Sequence, residues 1–284
     1  MHPKKWRETC DPFALPYTNF HPVEILGYPH AGNDVFHARG MCGGQEVNAY
    51  IKVARQPGAA IENEVAVLQQ LQIPHVPQVL DFGFTGTPFS VTKELPGQRL
   101  SVILAEDTNE RPQAYMEEYG AALRALHRLQ PAAKPVADRR FFHHPEEELL
   151  KKADVLFLRD FLLREAPAGE RCFCHGDFHY ANILWENGRI SGLLDFELAG
   201  YGCREFDIAW VLIRRPGQKF MNTPEELRLF LQGYGSGSYS EEAVVFYMAQ
   251  IYVYFLQFGL EDEEYAGYVR AWLKKAAAGD ACLG

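Results

Sequence analysis

Positive charge is scarce in this chain of 284 residues: 28 lysines and arginines stand against 37 aspartates and glutamates, a formal net charge of -9. A general nucleic-acid binder needs a basic face to displace counterions from phosphates, so that class is excluded and small molecules are the expected partners. Paired cysteines are missing as well. Cys10, Cys42, Cys172, Cys174, Cys203 and Cys282 include no CxxC step and no disulfide-scaffold spacing, which predicts reduced thiols in a cytoplasmic protein. The first eleven residues are charged and hold no apolar core segment, so no signal peptide is expected. One uncharged run, 243–260, reaches bilayer length, but Gln250, Gln257 and three tyrosines within it predict a buried core helix and no membrane span. Apolar material is plentiful. At 47% hydrophobic and 13% aromatic the chain can fill a large core, in one domain or two lobes.

The stretch 172–210 carries the chemistry. A polar loop, His175-Gly176-Asp177 and then Asn182, lies between apolar runs, and a second carboxylate, Asp195, closes the next apolar run. Between Asn182 and Asp195, residues 183–185 and 190–194 flank Glu186-Asn187-Gly188-Arg189, and Asn-Gly suits a type I′ hairpin turn. A closed hairpin brings Asn182 and Asp195 to one edge. An amide oxygen and a carboxylate there suit a hard cation such as Mg²⁺, which shares oxygen ligands with phosphates. Asp177, a few residues upstream, then stands where a base or orienting group for an attacking hydroxyl belongs. Taken singly, each of these residues is equally at home as a turn or capping residue.

Together the motifs resemble the aminoglycoside phosphotransferase and choline kinase family, small-molecule kinases with a protein-kinase-like fold. His175-Gly176-Asp177-Phe178-His179-Tyr180-Ala181-Asn182 resembles the family's catalytic loop, Asp195-Phe196-Glu197 its metal-binding segment, and Asp207 in FDIAW follows in order. The resemblance implies an α+β, two-lobed fold: residues 1–97 as a small antiparallel β lobe with one helix, 98–284 as a larger, mainly helical lobe. It implies transfer of the γ-phosphate of ATP or GTP to a hydroxyl of a small molecule, aminoglycoside, amino alcohol or sugar. Asp177 would be catalytic, and Asn182 and Asp195 would hold Mg²⁺. A catalytically silent nucleotide-binding module of the same fold is the alternative, and a protein kinase is disfavoured because no APE segment follows Asp195. The oligomeric expectation is a monomer or dimer.

Earlier in the chain, short strands at 23–27, 34–39 and 45–53 predict an antiparallel meander, with 76–84 and 88–93 as two more. Gly32 and Asn33 lie at its first turn, where kinases keep a loop over the nucleotide phosphates. Lys52 sits inside an apolar strand, and a helix at 61–71 follows it. A glutamate of that helix can hold Lys52 toward the phosphates; Glu62 and Glu64 compete for the role, and the resemblance favours Glu64. Backbone groups of Lys93, Glu94 and Leu95, ahead of Pro96-Gly97, resemble the hinge that contacts adenine.

Helices are expected at 113–130, ending in the structural His127, and at 145–165. Cys172, Cys174, His175 and His179 invite a zinc reading, but Cys172 and Cys174 share one strand face and no second ligand pair follows, so no zinc is expected. His175 is expected to brace the loop. Asp207 reads either as a helix N-cap or, by resemblance, as an acceptor for the catalytic-loop backbone. Glu261, Asp262, Glu263 and Glu264 can attract a polycationic substrate or simply start a helix; Arg214 and Arg215 can equally favour an anionic one.

Overall fold

A computed structural model describes residues 10–29, 32–55, 58–71, 73–106, 110–136, 147–163, 169–213, 218, 220, 221 and 223–257. Toward the end it describes 267, 270, 271, 273–275 and 278. Arg214, Arg215 and the acidic run 261–264 lie outside the described residues. The first part of the chain is an antiparallel sheet. β1 (Phe20–Gly27), β2 (Asp34–Cys42) and β3 (Gln45–Val53) form the expected meander, and α1 (Ile61–Leu68) then leads to β4 (Val79–Gly83) and β5 (Phe89–Lys93). The spatial order is β1-β2-β3-β5-β4, so β5 slots in beside β3 and every neighbouring pair runs antiparallel. Alternation decides which face is covered: Phe36 and Ala38 on β2, Ala49, Ile51 and Val53 on β3, and Phe89 and Val91 on β5 form one core with Phe20.

From β6 (Gln98–Arg99) onward helices dominate. α2 (Leu100–Glu106) and α3 (Gln113–His127) come first, then α4 (Glu147–Lys152) and α5 (Arg159–Leu162). The single helix expected at 145–165 is broken in two. Asp154 takes φ 55° and the Val155 amide reaches back to Leu150 O, which stops α4; a 3₁₀ turn over Leu156–Leu158 restarts the chain in a new direction. Then follow β7 (Arg171–Cys174), the hairpin β8 (Ile183–Glu186) and β9 (Arg189–Leu193), β10 (Gly200–Cys203), α6 (Arg204–Leu212), α7 (Pro224–Tyr234) and α8 (Glu241–Gln257). Thr223 and Glu226 form a reciprocal capping box at the start of α7, with Pro224 at the first helical position.

Residues 243–257 of the uncharged run lie in α8, which packs on α6, and 258–260 fall outside the described residues; Val244, Ile251 and Tyr252 are fully buried and Gln250 is nearly so. An all-round apolar helix is stable in water only when neighbours cover it, as here. Among the described residues no helix is long and apolar enough to cross a membrane.

α1 joins the two parts. Val67, Leu68, Leu71 and Val76 belong to the core of the helical part, and the Leu193 amide donates to His75 O at 2.7 Å. Glu64 on α1 is thereby fixed against the segment that follows β9.

Candidate active site

The β8–β9 hairpin closes as its sequence dictates. Glu186 pairs with Arg189 across the turn, where Asn187 (φ 51°) and Gly188 (φ 72°) both take the left-handed region a type I′ turn requires. At the open end the Leu194 amide donates to Asn182 O at 2.8 Å, so Asn182 lies beside the residue preceding Asp195. Asp195 itself has φ 65°, a strained conformation for a residue with a Cβ, and this turns its carboxylate toward β3.

There it meets Lys52. The ammonium Nζ lies 2.9 Å from Glu64 Oε2, 3.0 Å from Asp195 Oδ1 and 3.5 Å from Glu197 Oε1. The Lys52 side chain is only 17% exposed, which rules out an ordinary solvent-facing strand lysine. Burial alone would lower its pKa, but the charges of Glu64, Asp195 and Glu197 outweigh that and hold it above its usual value. Glu62 is exposed while Glu64 is buried, so the competition between them is resolved geometrically in favour of Glu64, whose other oxygen accepts the Phe196 amide at 3.1 Å. Burial pushes the Asp195 carboxyl up, yet the adjacent ammonium wins and leaves it below its ordinary value. Glu197 goes the other way: burial raises it to about 6, with Lys52 opposing and the neighbouring carboxylates reinforcing.

Asp177 is oriented from two sides. Trp210 Nε1 donates to its Oδ1 at 2.7 Å and Asn182 Nδ2 to its Oδ2 at 3.1 Å, while His179 Nε2 stands 3.7 Å from Oδ2. Beneath this loop Asp207 accepts the His175 amide at 2.6 Å and the Gly176 amide at 2.9 Å. The N-cap reading of Asp207 is thus corrected: it lies inside α6, whose N-cap is Cys203, and its carboxylate is spent on the loop. His127 completes this cluster, with Nε2 3.3 Å from Asp207 Oδ2 and Nδ1 2.8 Å from the Tyr234 hydroxyl. Burial would depress His127, but hydrogen bonding to Asp207 and Cys172 raises it to about 9; burial would raise Asp207, but the same imidazole and the loop amides pull it down. His175 is wholly buried and packs on Phe196 at 4.5 Å; burial lowers its pKa, and a neutral ring there braces the loop.

A cleft of about 320 Å³ runs between the sheet and the hairpin, lined at its polar end by Lys52, Glu64, Asn182 and Asp195. Its far end is formed by Tyr50, Lys93, Glu94, Leu95, Gly97 and Arg99. Gly97, at φ 108°, lies so close to β8 that an added Cβ would fall 2.7 Å from Trp185 O, which explains why the chain has glycine where it turns toward β6. The Lys93 and Glu94 amides are already donated, to Gln78 O (2.8 Å) and Asn48 O (3.0 Å). Gly32 and Asn33 stand outside this lining: Asn33 Nδ2 donates to Glu197 Oε1 at 2.5 Å, tying the first turn of the meander to the segment after β9.

A family model described as the phosphotransferase enzyme family matches residues 48–245, from β3 into α8. The chain belongs to this family. It is therefore a small-molecule kinase. The chain is similar to the aminoglycoside 3′-phosphotransferase of Enterococcus faecalis, 26% identical over 193 residues, covering 59% of this chain and 71% of that protein. Among solved structures it resembles a thermostable mutant of the aminoglycoside phosphotransferase APH(4)-Ia (TM-score 0.62, 16% identity, 93% of this chain and 96% of that one). It also resembles amicoumacin kinase in complex with AMP-PNP and Ca²⁺ (TM-score 0.57, 15% identity, 93% and 91% covered), and the streptomycin–ATP complex of APH(2″)-IIa (TM-score 0.57, 17% identity, 91% of each). At such identities the likeness establishes the shared, protein-kinase-like fold.

Two site residues escape sequence reasoning. Glu197 was legible only as the third residue of the Asp-Phe-Glu segment; that it joins Asp195 at Lys52 depends on the turn after β9. Trp210 gave no signal, because its bond to Asp177 depends on how α6 packs beneath the loop.

Proposed function

We propose that this kinase moves the γ-phosphate of ATP or GTP onto a hydroxyl of an amino-bearing small molecule of the aminoglycoside or amino-alcohol class. In this reading residues 1–97 form the nucleotide-binding lobe and 98–284 the lobe that carries the catalytic loop and the acceptor pocket. The observation that carries it is the Lys52 cluster. One ammonium serves three carboxylates at 2.9, 3.0 and 3.5 Å in a cleft, leaving an excess of negative charge that a divalent cation is suited to neutralise.

The donor set fits Mg²⁺. Asn182 spends its Nδ2 on Asp177, which leaves Oδ1 as a hard ligand beside the Asp195 carboxylate, with Asp195 kept ionised by Lys52. Held there by Asn182 and Asp195, such an ion would supply positive charge to offset that of the phosphates. Lys52, held by Glu64, binds the phosphates. Lys93 and Glu94 have donated their amides inward, and Leu95, the remaining residue of the 93–95 hinge, is assigned to the base. Gly32 and Asn33 cover the phosphates once Asn33 leaves Glu197. Asp177, with its carboxylate fixed by Trp210 and Asn182, orients the acceptor hydroxyl and accepts its proton. The amino groups of the acceptor are assigned from the net charge of -9, which favours a cationic partner, and from the kind of molecule that the relative in Enterococcus faecalis is named for. A cytoplasmic setting, where nucleotide is at hand, agrees with the free thiols of Cys42, Cys172, Cys174 and Cys203.

The test is nucleotide consumption by the purified chain over a panel of aminoglycosides, amino alcohols and neutral sugars, with ATP and with GTP. Turnover with an amino-bearing acceptor, lost in Asp195→Ala, is the expected result. Turnover confined to neutral sugars would overturn the acceptor class, and full activity in the variant would overturn the assigned cation site.

A further inference from the structure

Behind the catalytic loop, on the side away from the cleft, three side chains meet that phosphate transfer does not use: Cys172 and Cys174 on β7 and His127 at the end of α3. One ligating atom from each lies within 4.8 Å of the other two, and all three residues are buried. Strand alternation explains the two sulfurs, which are 3.9 Å apart. The imidazole is brought in by the packing of α3 on β7, a contact no local pattern announces.

The spacing discriminates between the chemistries open to such a pair. Two thiolates bound to a tetrahedral zinc-class ion, each about 2.3 Å from it, stand about 3.8 Å apart. The sulfurs of Cys172 and Cys174 are already there. A disulfide asks for more: same-face residues two apart on an extended strand have Cα atoms about 6.6–6.8 Å apart, at the far limit of what a disulfide spans. Metal capture therefore needs little movement, whereas oxidation must bend β7. The second shell is in place too. The Tyr234 hydroxyl engages His127 Nδ1 at 2.8 Å, and Nε2, which faces Asp207 Oδ2 at 3.3 Å, would ligate once it gives up its proton.

We propose that Cys172, Cys174 and His127 form a buried soft-metal site for a zinc-class ion, Zn²⁺ or Cd²⁺, distinct from the oxygen-lined cation site of the cleft. Thiolate and imidazole ligands select such ions over Mg²⁺. Uptake is a proton exchange without redox change: the ion displaces the two thiol protons and any proton on His127 Nε2, and those protons leave to solvent. Asp207 Oδ2, 3.3 Å from Nε2, is the near group for a fourth position, and through it the ion would touch the acceptor of the His175 and Gly176 amides. The ion would lock the end of α3 to β7 directly under the catalytic loop. Cys172 and His127 keep 7% and 6% exposure, so the cluster borders the surface on one side.

The experiment titrates Cd²⁺ into the chelator-stripped full chain in excess Mg²⁺, following ultraviolet thiolate-to-cadmium charge-transfer absorption and thermal unfolding. One equivalent with the absorption band and a raised melting temperature is expected. Cys172→Ser and Cys174→Ser should each weaken binding on the order of 100-fold or more, His127→Gln should weaken it clearly, and Cys42→Ser, on the distant sheet, should leave it unchanged. Should a serine variant fail to fold, Cys172→Ala and Cys174→Ala replace it, with an undiminished AMP-PNP-dependent thermal shift as proof of folding. No band in the unmodified protein, or a band that persists in the folded double alanine variant, would overturn the site.

Discussion

Two carboxylate clusters flank the catalytic loop, one buried and one open to the cleft, and they are built on opposite principles. Around Asp207 every charge is answered: one wholly buried carboxylate accepts two loop amides and faces an imidazole that is raised to about 9 and hence protonated at neutral pH. Around Lys52 the charges do not close, because three carboxylates share one ammonium and one of them, Glu197, is pushed up to about 6. A balanced buried cluster holds a shape, since opening it strands a charge in low dielectric. An unbalanced one at the wall of a cleft is poised to accept a counter-ion, and that is where a function has to be looked for. Asp177 lies between them, fixed from the helical side by Trp210 and from the hairpin by Asn182.

The contrast can be broken at several points. Asp177→Asn keeps the shape and one of the two accepted hydrogen bonds but removes the proposed base; steady-state kinetics should show transfer falling about 1,000- to 10,000-fold, with nucleotide affinity, read from thermal shift, nearly unchanged. An equal loss of nucleotide binding would place Asp177 in the wrong cluster. Asp207→Ala should act on folding instead. Stranding the His175 and Gly176 amides and the His127 charge should cost about 3–5 kcal/mol in urea denaturation, and a variant as stable as the parent would show that the balanced cluster is no scaffold.

His127→Gln sharpens the same point through pH. The folded imidazole titrates near 9, above the value of about 6.5 for an unfolded histidine, so its pairing contributes fully below about pH 6.5 and is lost as pH rises through about 9. Melting curves of parent and variant should therefore differ most in mild acid and converge above pH 9, by roughly 3 kcal/mol at the widest. A gap that widened with alkalinity would reverse the assignment. Trp210→Phe is the mildest cut. It keeps the ring packing and removes one hydrogen bond to a carboxylate, so kcat should fall about 10- to 100-fold, in keeping with roughly 1.5–3 kcal/mol for a charged partner, while KM for nucleotide stays put.

Much of this site was readable because it is local. Asn187-Gly188 determines the turn, and the hairpin it closes, with Ser191 as one extra residue on the second strand, puts Asn182 beside the residue ahead of Asp195. The same reasoning failed at 145–165, where helical periodicity runs on through Asp154 but the chain bends there to bring Leu158 and Leu162 into the core. At Asp207 local pattern left two readings open, since an aspartate before an apolar run looks the same whether it caps its own helix or receives another loop's amides; the second, which the resemblance had offered, is the one found.

The sequence by itself determined the order of sheet and helices, the hairpin, and the catalytic family, because strand alternation, turn chemistry and a contiguous loop motif act over a few residues. Tertiary packing brought Glu64, which the resemblance had favoured over Glu62, to Lys52, and it alone decided that Trp210 steadies Asp177 and that His127 comes to rest against Cys172 and Cys174. Each of those contacts joins elements far apart in the chain, and which side chains meet there depends on how whole faces bury against one another, a quantity no short stretch of residues contains.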